Sequence, residues 1–238
     1  YTAVINACSS IGSLEWGRKI HSHIIDRGLI CDLFLGSSLI DMYAKCGSII
    51  DATVTFLTLS KRNVVTWSAL LAGHVHEAAT EVAFHLIEAM EKEGIKPNEI
   101  ILACILRACI GPAALEKGRE IHAKVIESGF ESDLFLGNCL IDMYADCGNL
   151  FDAFTVFNRM PERDLVSWTS LITGYTQHGD GWEALVAFEK MQQTGIRPNE
   201  ITFIPLLKAC ASLLDIDRGK RIHADLIEGG FHLNINTS

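Results

Sequence analysis

Apolar residues along this chain recur three or four positions apart in short runs, and each run is followed by a polar or glycine-containing break and then a second run. Side chains three and four apart share one helix face, so the pattern predicts paired amphipathic helices. Val4, Ile5, Ala7 and Cys8 mark a first helix, residues 9–13 a turn, and residues 14–26 a second helix that Gly28 stops. Leu39, Ile40, Met42 and Tyr43 mark a third, Cys46-Gly47 a turn, and residues 49 to about 59 a fourth. No alternation of strand length competes with the helical period.

These hairpins repeat. Gly17-Arg18-Lys19-Ile20-His21 returns as Gly118-Arg119-Glu120-Ile121-His122 and as Gly219-Lys220-Arg221-Ile222-His223, each time after 101 residues. Cys46-Gly47 with Cys147-Gly148, Trp67 with Trp168, and Lys96-Pro97-Asn98 with Arg197-Pro198-Asn199 keep the same step. Three hairpin types therefore alternate, and the units expected are 1–32, 33–63, 64–98, 99–133, 134–164, 165–199 and 200–234, with 235–238 opening another. Such an array buries its apolar faces between neighbouring units instead of around one centre. Pro161 is expected to end the second helix of unit 134–164 sharply, whereas Ser60 in the sister unit leaves that end less defined. Gly179-Asp180-Gly181 turns one hairpin where the sister copy has Ala78, Ala79 and Thr80, so the earlier turn is expected to differ.

Composition sharpens this picture. Hydrophobic residues make up 49% of the 238, enough to fill a continuous core, while the longest apolar run, residues 100–106, is far too short to span a bilayer. The first residue is Tyr and both ends cut into a repeat, from which we expect a fragment whose targeting signals lie outside it. Of the eight cysteines, Cys8, Cys109 and Cys210 occupy one repeat position and Cys46 and Cys147 another, without staple-like spacing, which points to a reducing compartment. The formal charge of −9 argues against nonspecific binding to polyanions. Glu88, Glu91, Glu93, Glu116, Glu120, Glu127 and Asp152 fall mostly in second helices, which are expected to form an outer wall.

Val65-Thr66-Trp67-Ser68-Ala69-Leu70 and Val166-Ser167-Trp168-Thr169-Ser170-Leu171 resemble the P units of the plant pentatricopeptide repeat (PPR) family, PLS subclass. Leu106-Arg107-Ala108-Cys109 with Gly118-Arg119-Glu120-Ile121-His122 resembles an L unit, and residues 140–145 with Cys147-Gly148 an S unit. The resemblance covers essentially the whole chain. It implies an all-α, right-handed α-solenoid of helix-turn-helix hairpins that binds single-stranded RNA at about one base per repeat, with no cofactor. It further implies a chloroplast or mitochondrial setting, a role in C-to-U editing or other organellar RNA processing, and accessory proteins or a deaminase domain outside this chain as partners.

In that family the fifth and last residues of a unit hydrogen-bond the base and the second residue wedges between bases. Carried over by position, the pairs are Ser37 with Asn63, Ser68 with Asn98, Asn138 with Asp164 and Thr169 with Asn199, with Thr2 and Asp32 as a guanine reader. A hydroxyl plus a carboxamide matches the mixed edge of adenine, and an acceptor-only Asp takes the imino N–H of uracil. The expected target is 5′-A-A-N-U-A-N-3′. The L units offer Ala103 with Asp133 and Ile204 with Asn234, which place apolar side chains at the reading position. The wedges are Phe34, Val65, Phe135 and Val166.

Plainer explanations stand beside these. Asn63, Asn98, Asp164 and Asn199 sit where helix N-caps are expected. Trp67 and Trp168 read as core, and His21, His122 and His223 as packed structural residues instead of metal ligands. The chain has no Cys-x-x-Cys, no His-x-Glu deaminase signature, no glycine-rich phosphate loop and no Gly-x-Ser-x-Gly elbow, so no enzyme is expected. A protein-binding solenoid without RNA readout is the competing class.

Overall fold

The computed structural model describes residues 1–29, 32–77 and 80–228. The expected differences at Ala78 and Ala79, the reading role of Asn234 and the unit opening at residue 235 lie outside the described residues. Among the described residues every regular element is helical, and the chain divides into two compact units, residues 1–108 and 109–238.

The first unit holds α1 (Thr2–Ile11), α2 (Leu14–Asp26), α3 (Leu33–Lys45), α4 (Ile49–Thr58), α5 (Val64–His76), α6 (Thr80–Lys92) and α7 (Glu99–Leu106). The second holds a 3-10 turn (Pro112–Ala114), then α8 (Leu115–Glu127), α9 (Leu134–Asp146), α10 (Leu150–Arg159), α11 (Leu165–Gln177), α12 (Gly181–Gln193), α13 (Glu200–Ser212) and α14 (Ile216–Glu228). Within each unit odd-numbered helices pack on the next odd-numbered helix, and each even-numbered helix lies against its sequence neighbours.

That two-layer arrangement explains the side chains. An odd-numbered helix is covered on several sides, so α3 buries Leu39, Ile40, Met42 and Tyr43 together with Gly36 and Ser37. Even-numbered helices are covered on one stripe only, and α2 buries just Gly17 and Ile24. Where odd helices meet, glycine permits the approach: a Cβ on Gly73 would lie 2.8 Å from the Cβ of Ala44, and one on Gly174 2.7 Å from that of Ala145. Neither alanine methyl can rotate away.

Polar and aromatic ties recur in both units. His21 Nδ1 is 2.9 Å from the Tyr43 hydroxyl and His122 Nδ1 2.8 Å from that of Tyr144, while Arg18 pairs with Asp51 and Arg119 with Asp152. Burial pushes both imidazoles below the ordinary histidine range and holds them neutral, which suits a hydrogen-bonded packing role. Phe56 sets its edge on Trp67 and Phe157 on Trp168, each pair with ring centroids 4.6 Å apart.

Two helix ends depart from the sequence expectation. Ser60 does not loosen α4, which has the same length as α10 with its Pro161. In both copies the following residue, Leu59 or Met160, turns extended and is buried, and Arg62 or Arg163 donates its Nε–H back to the carbonyl of Phe56 or Phe157. An arginine cap and a buried anchor therefore do what proline was expected to do. The other departure is α7, which stops at Leu106 although α1 and α13 run on through the corresponding positions. Pro112 has no N–H to continue the helical ladder and Gly111 stands at φ 82°.

At the place where α1 ends on Gly12 with φ 66°, the chain after α13 has Leu214 with φ 55°, exposed to 85%. A left-handed β-carbon costs about 1–2 kcal/mol there with no packing to offset it. Leu214→Gly is expected to stabilise the second unit by about 1 kcal/mol in chemical denaturation. Gly174→Ala is expected to do the opposite in the same assay, losing about 1–3 kcal/mol to overpacking in spite of alanine's better helix propensity.

Candidate nucleic-acid interface

Each odd-numbered helix starts with backbone N–H groups that have no partner in the helix itself, and from α3 onward the side chain of the residue before it supplies one. Asp32 Oδ1 accepts from the N–H groups of Phe34 and Leu35, both at 2.9 Å, and Asn63 Oδ1 from those of Val65 at 3.1 Å and Thr66 at 3.0 Å. Asn98 Oδ1 accepts from Ile101 at 3.0 Å. In the second unit Asp133 serves Leu136, Asp164 serves Ser167 and Asn199 serves Thr202. The capping role expected of Asn63, Asn98, Asp164 and Asn199 is thus present in all four. Capping occupies one oxygen and leaves the other polar atom of each head group: Nδ2 of Asn63, Asn98 and Asn199 donates no hydrogen bond within the described residues.

The fifth-position side chains stand one turn further along the same layer of helices. Ser37 donates to the carbonyl of Phe34 at 3.0 Å and Ser68 to that of Val64 at 2.7 Å, so both hydroxyls fold back on their own helix, Ser37 buried and Ser68 half-buried. Thr2 is the first residue of α1 and half-buried, while Asp32 is exposed. Asn138 is only 7% exposed, and its Nδ2 reaches Asp164 Oδ1 at 3.3 Å, so the structure brings this pair into direct contact. Thr169 and Asn199 are joined indirectly, because Thr169 Oγ1 lies 3.0 Å from Thr202 Oγ1, which in turn donates to Asn199 Oδ1 at 2.9 Å. Ser37 and Asn63 have no such link, nor have Ser68 and Asn98. Ala103 is buried and Ile204 exposed, so the two L positions place no polar group here.

Burial disfavours the charged form of Asp164. Hydrogen bonds from the Ser167 and Val166 backbone N–H groups and the Asn138 amide outweigh it and hold the carboxyl below the ordinary carboxylate range. Asp164 is therefore an acceptor at neutral pH.

Two residues after each of these caps, an apolar side chain is left in solvent. Phe34, 67% exposed, Val65, Phe135 and Val166 are the four expected wedge residues, and all are exposed. Ile100 and Ile201 occupy the same position in α7 and α13 and are exposed too. These two were not picked out from the sequence, although their place two residues after Asn98 and Asn199 was there to be counted. Also missed were the hydroxyls of Thr66, Ser167 and Thr202, all fully buried, which complete capping boxes with Asn63, Asp164 and Asn199. Their signal was the three-residue spacing from cap to hydroxyl.

The remaining candidates lie elsewhere. Trp67 and Trp168 are buried in the core, with no face free for a base. Among the described residues no cluster of His, Cys, Asp or Glu has the makings of a metal site. Glu88, Glu91, Glu116, Glu120 and Glu127 are exposed on α6 and α8, and Glu93 just past α6; Asp152 on α10 is half-buried and paired with Arg119. These acids sit on or just past even-numbered helices, whereas Asp41, Asp142 and Asp146 lie on odd-numbered ones and the exposed Glu99 and Glu200 directly follow the caps Asn98 and Asn199. No helix is long and apolar enough to cross a membrane.

Stacked helical hairpins, with odd helices in one layer and even helices in the other, define a helical-repeat protein of the α-solenoid class. The PPR repeat family matches residues 62–110 and 163–212, and the PPR repeat residues 1–29 and 138–165. A chloroplastic pentatricopeptide repeat-containing protein of Arabidopsis thaliana is 39% identical over 222 residues, covering 93% of this chain and 36% of the relative. A mitochondrial one from the same plant is 40% identical over 203 residues, covering 85% and 32%. The crystal structure of PPR10 from maize matches with a TM-score of 0.72 at 19% identity over 95% of this chain and 38% of that one. A second PPR10 structure, in complex with an 18-nt psaJ RNA element, matches at 18% identity with a TM-score of 0.42, over 92% and 43%. The chain belongs to the pentatricopeptide repeat family and spans about a third of the length of the curated relatives it matches.

Because the same side chain caps a helix and stands at the candidate interface, the two roles separate by substitution. Asn199→Ala is expected to cost about 1 kcal/mol in stability without any RNA present, while Asn199→Asp, which keeps the cap oxygen, costs little; thermal melts of both variants check this.

Proposed function

We propose that this chain is a sequence-specific binder of single-stranded RNA, reading about one base per S or P unit through the polar pairs at the fifth and last positions. The observation that carries the reading is their placement. The last residue of each pair caps an odd-numbered helix and the fifth stands near the start of the odd-numbered helix before it, with exposed apolar residues of a shape to separate bases alongside. Glu88, Glu91, Glu116, Glu120 and Glu127 lie on even-numbered helices, while Glu99 and Glu200 follow the caps Asn98 and Asn199, so the local surface, and not the net charge of −9, decides how phosphates are met. PPR10, whose fold this chain shares, has been crystallised with RNA.

In this reading the units are L at 1–32, 99–133 and 200–234, S at 33–63 and 134–164, and P at 64–98 and 165–199, as in the PLS subclass. Ser37/Asn63, Ser68/Asn98 and Thr169/Asn199 take adenine, Asn138/Asp164 takes uracil and Thr2/Asp32 guanine, with Phe34, Val65, Phe135 and Val166 as wedges. The setting is a chloroplast or mitochondrion, to which relatives in Arabidopsis thaliana are assigned by name. The work served is C-to-U editing or another organellar RNA-processing step, with a deaminase or accessory protein supplied by other segments or other chains.

The test is a mobility-shift series with 5′-A-A-N-U-A-N-3′ and single A-to-C variants. Each replaced adenine is expected to weaken binding by about 1–3 kcal/mol, by analogy with base readout in DNA. Equal affinity for all oligomers removes the code, and no binding to any of them leaves the protein-interaction solenoid as the reading.

A further inference from the structure

The buried hydroxyls of Ser167 and Thr202 do more than close capping boxes. A hydroxyl has one proton and two lone pairs, and an amide oxygen has two lone pairs, so the bonds around these groups can be counted. Thr202 donates its proton to Asn199 Oδ1 at 2.9 Å, which therefore leaves Thr169, 3.0 Å away, as the donor to Thr202. Asn199 Oδ1 also takes the Thr202 N–H at 3.1 Å, so both of its lone pairs are filled. Thr169 is left with lone pairs only and Asn199 with N–H groups only: one acceptor beside one donor.

The same count applies one unit earlier. Ser167 Oγ lies 2.6 Å from Asn138 Oδ1 and 3.0 Å from Asp164 Oδ1. Asp164 Oδ1 already receives the Ser167 N–H at 2.9 Å and an Asn138 N–H at 3.3 Å, so the serine proton belongs to Asn138. Turning the Asn138 amide over would press its oxygen on the carboxylate and leave its nitrogen on the serine. The amide is thus fixed with its oxygen on Ser167 and its second N–H unused, beside the remaining oxygen of Asp164.

We propose that Ser167 and Thr202 are specificity-determining positioning residues, each fixing which hydrogen-bonding atoms the reading pair of the preceding unit presents, although neither touches the base. The role rests on the RNA-reading function above. Thr66 supplies an internal control. It closes a capping box on Asn63 in the same way, yet its hydroxyl donates to the Asn63 carbonyl, and Ser37 turns to Phe34 instead. Losing Thr66 removes a box without freeing a reader.

The experiment compares binding of two oligomers that differ only in U or C opposite the Asn138/Asp164 pair, using the 238-residue chain and its variants. Wild type is expected to prefer U. Ser167→Ala should shrink the U-to-C ratio about fivefold, the worth of one buried hydrogen bond, and Ser167→Thr should restore it. Thr66→Ala should lower the melting temperature comparably and leave the preference at the Ser37/Asn63 pair unchanged. The side-chain amide protons of Asn138, followed by NMR without RNA, should show one fixed orientation in wild type and averaging in Ser167→Ala. If Ser167→Ala fails to fold, Ser167→Cys keeps the volume with a weak donor and should show the same loss of preference. An unchanged ratio in folded Ser167→Ala or Ser167→Cys, or an equal loss of preference at the Ser37/Asn63 pair in Thr66→Ala, overturns the positioning role while leaving base reading in place. Wild type that binds both oligomers equally overturns the pair assignment and this role with it.

Discussion

Every odd-numbered helix from α3 to α13 begins with backbone N–H groups that no preceding turn can satisfy, and a side-chain oxygen from Asp32, Asn63, Asn98, Asp133, Asp164 or Asn199 meets that need. The choice of residue there is therefore restricted to short polar side chains before any ligand is considered. A carboxamide or carboxylate has two polar atoms, and a cap uses one. The structural constraint leaves the other atom at a fixed place at the head of each helix, which is how a packing requirement and a candidate recognition element come to share one side chain.

The layers divide the remaining work. Odd-numbered helices meet one another closely enough that Gly73 and Gly174 face alanine methyls, and they bury most of the core. Even-numbered helices bury a narrow stripe and carry charge outward. The His–Tyr contacts and the Phe–Trp edges tie them to the odd layer and the Arg–Asp pairs tie them to one another, in each compact unit at matching positions. The exposed Arg–Asp pairs contribute little individually to stability. The aromatic edges and the buried hydroxyl contacts set the angle at which one helix meets the next, since they tolerate little displacement.

The polar network around Ser167 and Thr202 links that packing to the proposed recognition pairs. These hydroxyls are fully buried, yet each bonds a residue at the interface. A hydrogen-bond donor in a closed site has few alternatives, so its proton determines the state of its neighbours more firmly than solvent would. Asn138, though nearly buried, is held for that reason in one orientation.

Much of this was legible in the order of residues. A helical period, a 101-residue recurrence and turn residues at set places determine the hairpins, because amphipathicity and capping act over a few positions. The caps, the core tryptophans and the packing of His21 and His122 followed from the same local rules, whereas His223, read the same way from its position, is exposed. Other features depend on partners distant along the chain and needed the packed molecule. Arg62 ends α4 by reaching back to Phe56, Asn138 meets Asp164 and Ser167 across helices, and Ile100 and Ile201 prove as exposed as the four aromatic and valine side chains at their position. Sequence spacing locates a polar atom on its own helix. Where its proton goes is set by the atoms that tertiary packing brings within 3 Å or so of it.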